Sequence, residues 1–77
     1  MTDPSLNEQL VAIGWKLFYR CDCPSGKKEY FNHVDHPKYA IRTRLREQTF
    51  RIVYENHVIA GPFRSGQMEE KIAKYVT

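Results

Sequence analysis

Cysteine is scarce in this 77-residue chain: only Cys21 and Cys23, one position apart. Two thiols make no disulfide framework, and a bridge between such close neighbours would be strained. No run approaches the roughly 20 apolar residues that a membrane-spanning helix needs. The first 14 residues hold Asp3 and Glu8 and no base, unlike the basic start of a secretory signal. A reducing, cytoplasmic setting with no membrane partner is therefore expected. Phosphate-cradling glycine loops, nucleophile elbows and HExxH pairs are also missing, so no catalytic residue and no cofactor is assigned.

The composition does support a folded core. Apolar residues make up 42% and charged residues 27%, too apolar a mixture for a disordered tail. One compact α+β domain over residues 1–77 is expected, near the lower size limit for a self-sufficient core. Asp3-Pro4, or Ser5 with Glu8, caps a first helix carrying Leu6, Leu10 and Ile13 at helical spacing, and Gly14 stops it. The period then changes to alternation. Trp15, Leu17, Tyr19, Cys21 and Cys23 share one face of a strand, and Lys16, Phe18, Arg20 and Asp22 share the other.

Pro24-Ser25-Gly26 reads as a turn into a second strand from Lys28 to His33, and His36-Pro37 as a break. A third strand is expected from Tyr39 to Arg46 and a fourth from Thr49 to Glu55. Asn56-His57 then turns into a short fifth from Val58 to Ala60, closed by Gly61-Pro62. Ser65 caps a last helix with Met68, Ile72 and Tyr75 or Val76 inward. The expected architecture is an N-terminal helix, an antiparallel sheet of four or five strands and a C-terminal helix. Both helices would lie on one sheet face, with Trp15, Leu17, Ile41, Leu45, Phe50 and Ile52 between.

"CDCPSGKKEYFNHVDH", residues 21–36, has the residue types of a zinc site but not the geometry. A structural zinc needs four ligands within about 2.0–2.3 Å of one point. If Cys23 and Lys27 or Lys28 flank the hairpin turn, His33 stands opposite Leu17 or Phe18. At roughly 3.3 Å per residue it is then about 10–13 Å from Cys21. No metal is expected. Cys21 and Cys23 read as small strand residues on the Trp15 side, and His33 and His36 as members of a polar loop.

Charge is unevenly spread. The chain carries +3 overall, but residues 38–51 hold Lys38, Arg42, Arg44, Arg46 and Arg51 against Glu47 alone. In "YAIRTRLR" the alternation sends Arg42, Arg44 and Arg46 to one face, about 6.6–6.8 Å apart. Arg51 on the next strand and Lys16, Phe18 and Arg20 on the first can join them there. Guanidinium forks and a ring suit phosphate and bases, so DNA or RNA backbone is the first expected partner. A solvated edge, an acidic protein partner or self-association through a sheet edge are the alternatives.

A third reading is enzymatic. His33, His36 or His57 as general base, with Tyr30 and the basic surface, could support metal-independent RNA cleavage. "LVAIGWKLFYR", residues 10–20, resembles the opening of HicA-type toxin RNases, in which a helix ends at Gly-Trp and a strand follows. The resemblance implies a small fold similar to double-stranded RNA-binding domains, with a catalytic histidine soon after the first strand in a Gly-Ser-His context. The corresponding stretch here is Pro24-Ser25-Gly26-Lys27-Lys28, without histidine, and an extra hairpin follows.

Overall fold

The computed structural model describes residues 6–24 and 26–76. The expected caps at Asp3-Pro4 and Ser5 lie outside them, as does Ser25 of the first turn. Helix α1, Leu6–Ala12, ends where glycine permits it. Gly14 takes φ +97°, its N–H donates to Val11 O at 3.1 Å, and the Trp15 N–H donates to Leu10 O at 2.9 Å. This left-handed cap satisfies carbonyls of the last turn and folds Trp15 back beside Leu10 in the core.

Five strands follow: β1 (Lys16–Cys23), β2 (Gly26–His33), β3 (His36–Arg44), β4 (Thr49–Tyr54) and β5 (His57–Arg64). Each pairs antiparallel with its neighbour in sequence, giving the order β1-β2-β3-β4-β5. Short connections suffice for such a meander. Cys23 pairs with Gly26, His33 with His36 and Tyr54 with His57, so three of the four turns have two residues. A 3-10 turn, Ser65–Gln67, leads into α2, Met68–Tyr75. Gln67, not Ser65, occupies the α2 cap position.

Leu6, Leu10, Trp15, Phe31, Ile41, Phe50, Ile52, Met68, Ile72 and Val76 form one buried cluster. The register explains the choice of strand residues. Phe31 pairs with Ile41 and Ile41 with Ile52, so alternate positions of β2, β3 and β4 meet on one face. Among the described residues, no helix is long and apolar enough to cross a membrane.

Several expected boundaries shift, each for a local reason. A β-bulge between Leu17 and Tyr19 inserts Phe18 as an extra residue, so the alternation in β1 reverses. Tyr19 and Cys21 move to the face opposite Leu17, and Arg20 and Asp22 move to Leu17's face. Leu17 itself stays 43% exposed and outside the buried cluster. The turn expected at Asn56-His57 is Glu55-Asn56, the two residues with left-handed φ of 48° and 69°. β3 ends at Arg44 because Leu45–Gln48 forms the next turn, in which the Gln48 side-chain amide donates to Leu45 O at 2.6 Å. β5 continues through Gly61-Pro62 instead of closing before it.

His33 and His36 are not loop residues: they form the last pair of the β2–β3 hairpin. Pro37, Lys38 and Tyr39 bulge out of the β2 ladder, which frees Pro37 from donating to it. His36 stacks on Trp15 at 6.3 Å between centroids, and His33 meets the same ring edge-on at 5.3 Å.

Candidate nucleic-acid interface

The register that buries Ile41 brings the basic residues together on the other face. Three rows cross the sheet there. In the first, Lys16 pairs with Asn32, Asn32 with Ala40, Ala40 with Val53 and Val53 with Val58. In the second, Tyr19 pairs with Tyr30, Tyr30 with Arg42 and Arg42 with Arg51. In the third, Cys21 pairs with Lys28, Lys28 with Arg44, Arg44 with Thr49 and Thr49 with Arg64. Lys28, Arg42, Arg44 and Arg51 are therefore immediate neighbours, along a strand or across a pair.

This cluster is electrostatically under-compensated. Like charges directly opposite each other destabilise a strand pair, and Arg42 faces Arg51 without an acid between them. Glu47 is the acid that meets the cluster, through Arg44 Nη1 at 3.4 Å from its Oε1, with more than half of the carboxylate side chain in solvent. Burial holds the Arg51 guanidinium below its ordinary pKa; the charges of Arg42 and Arg44 add to the effect and Glu47 opposes it. Nε of Arg42 and Nε of Arg44 are buried with no hydrogen-bond partner. A buried donor left unpaired costs about 1–3 kcal/mol, which adds to the electrostatic cost of holding these arginines together.

Part of the burial of Arg51 comes from β5. Phe50 pairs with Phe63 and Ile52 with Ala60, so Gly61 and Pro62 bulge opposite Arg51. A Cβ on Gly61 would lie 3.0 Å from Arg51 Cα, Arg51 Cγ and Phe50 O, at a φ of +116°. Only glycine lets β5 come this close to the Arg51 stem.

Aromatic rings flank the cations. Tyr19 and Phe18 contact Tyr30 at centroid distances of 5.6 and 6.2 Å. Phe18 also lines a shallow cleft with Asn32, Ala40 and Val53. On the far side of Arg44, Gly26, Lys27, Lys28, Arg46 and Glu47 line a second, small cleft.

Of the residues expected at a binding face, Arg42, Arg44 and Arg51 come together, with Phe18 beside them. Arg46 lies in the β3–β4 turn and reaches the face only at the Lys27 cleft. Lys16 stands at the opposite end, in the Asn32 row. Arg20 does not join them. The bulge sets it opposite Glu29, where its Nε lies 3.5 Å from Oε1 of a carboxylate that is only 3% exposed. Asn7 Nδ2 donates to the other oxygen at 2.7 Å. Arg20 is thus the counter-ion of a buried acid. Sequence alternation missed Lys28, Tyr19 and Tyr30 as partners of the arginines, because the bulge and the pairing of Cys23 with Gly26 set their register.

The cysteine–histidine stretch stays divided. Cys21, half-buried, pairs with Lys28, and His33 lies five residues further along β2, about 16 Å at strand rise. The thiol lies on the arginine face, not on the Trp15 side as the unbroken alternation implied. Among the described residues, no group of three or more His, Cys, Asp or Glu side chains is placed to hold a metal ion. His33 and His36 sit against Trp15, and His57 flanks the β4–β5 turn, so no histidine shares a row with the arginines. Comparison with protein families, curated proteins and solved structures finds no match for this chain.

Proposed function

We propose that this chain is a small non-catalytic binding module that grips nucleic-acid backbone on the Arg42–Arg44–Arg51 face of its sheet. Both helices would then cover the opposite face, and the module would work in the reducing cytoplasm. The observation that carries the reading is the direct pairing of Arg42 with Arg51, beside an Arg44 that shares with Arg42 an unpartnered buried Nε. Such a cluster repels itself when empty and is relieved by phosphate, which accepts forked hydrogen bonds from guanidinium. No base-reading element accompanies it, so little sequence preference is expected.

Titration of labelled oligonucleotides with the purified protein tests this. Binding should be measurable at about 50 mM salt and fall steeply as salt rises, because each neutralised phosphate releases counterions. A flat salt response or no binding at that concentration would refute the reading. A second reading, docking on an acidic protein or self-association, draws on Val58 and Ile59. These remain 48% and 46% exposed on edge strand β5. Sedimentation of the protein alone separates the two.

A further inference from the structure

Resting on that reading, the geometry points to a narrower ligand class: unpaired nucleic acid, with bases stacked on Phe18 and Tyr19 while the phosphates lie on Arg42, Arg44 and Arg51. The bulge in β1 supplies the reason. In a regular strand, adjacent residues point to opposite faces, and only one of Phe18 and Tyr19 could stand beside Tyr30. The extra residue lets both rings contact Tyr30, at 6.2 and 5.6 Å, one strand away from the arginines.

Phe18 remains 54% exposed and Tyr19 56% exposed, and neither belongs to the buried cluster. Two large rings held up to solvent, with Tyr30 bracing both from one side, offer open π-faces.

This combination has no use for a duplex. Paired bases are stacked on each other and show side chains only their groove edges, so the rings would meet sugar and phosphate, which they cannot stack on. A single strand exposes base faces on one side and phosphates on the other, and every base has a π-face to stack. Sugar type does not enter these contacts, so single-stranded DNA and RNA share the required chemistry. An acidic peptide would use the arginines but gain nothing from the rings.

The test uses full-length protein at about 50 mM salt with oligonucleotides of about 12 nucleotides, within the usual range of single-strand site sizes. Single-stranded DNA, single-stranded RNA, each matching duplex and poly-glutamate are the probes. Variants Phe18→Leu and Tyr19→Leu keep apolar bulk while removing the rings; Phe18→Ala and Tyr19→Ala extend the series, with circular dichroism as the fold check.

The inference expects each single strand to bind at least about tenfold more tightly than its duplex. Each leucine change should cost single-strand affinity about tenfold and leave duplex affinity unchanged. Preference for one single strand over the other supports the inference and names the source. Duplex binding as tight as single-strand binding, or single-strand affinity untouched by both leucine changes, overturns the inference while the backbone-binding reading survives. Binding of poly-glutamate but no nucleic acid overturns both.

Discussion

Replacing Arg42, Arg44 and Arg51 together with alanine should lower oligonucleotide affinity by about 100-fold or more at low salt, and the domain should stay folded. Hydrogen bonds to charged groups contribute about 1.5–3 kcal/mol each, so three lost phosphate contacts exceed that threshold even with strong non-additivity. The slope of log K against log salt should also flatten by about 2, near 0.7 for each single-strand phosphate no longer neutralised. Stability should change little, because relief of like-charge repulsion offsets the lost Arg44–Glu47 pair and the packing of the Arg51 stem against β5. Arg42 and Arg51 oppose each other across β3 and β4, and relieving a like-charge pair contributes about 0.2–1 kcal/mol.

A large loss of binding with little change in stability distinguishes a ligand-facing cluster from one that supports the fold. Arg20→Ala supplies the control. It leaves the 3%-exposed Glu29 carboxylate with Asn7 as its remaining named partner, and should cost about 1 kcal/mol because Arg20 is itself more than half in solvent. Oligonucleotide affinity should stay within about twofold of the parent protein, since Arg20 lies on the other face. An affinity loss with Arg20→Ala as large as with the triple change would contradict this division of labour.

The largest stability effect should come from Trp15→Ala. Truncating a buried Trp costs about 3–5 kcal/mol, against a total of roughly 4–12 kcal/mol for a domain of this size. Trp15 is 2% exposed and joins three parts of the molecule: it follows the glycine cap of α1, opens the run into β1, and carries the His33 and His36 rings of the β2–β3 hairpin. Tm should fall by roughly 12–40 °C, taking about 4–8 °C per kcal/mol for a domain this small. Affinity per folded molecule should not change, because the ring is buried away from the arginine face. A shift of only a few degrees would mean that Trp15 is not central to the core.

The elements written in local chemistry were legible. Gly14 ended the first helix because a left-handed residue was needed there, and the alternation of Ile41 with Arg42 and Arg44 announced a strand with one buried and one basic face. Non-local effects were hidden. The run Trp15, Leu17, Tyr19, Cys21 alternates without interruption, so nothing in it marks the bulge at Phe18; only the pairing of Arg20 with Glu29 and of Tyr19 with Tyr30 reveals it. Sequence alone sets the β4–β5 turn one residue late because Glu55, an unusual occupant of a left-handed position, precedes Asn56 there. Arg46 continued the basic period by sequence, yet the turn that closes on Gln48 removes it from the row.

The most direct measurement follows the side-chain Nε–H resonances of Arg42 and Arg44 by NMR while a single strand of about 12 nucleotides is added. Among the described residues these Nε groups are buried without a hydrogen-bond partner, and phosphate held by the same guanidinium groups should shift both in proportion to saturation. The Arg20 Nε–H, held at Glu29, should stay in place. Binding that leaves the Arg42 and Arg44 resonances unmoved while those of other residues shift would contradict the account.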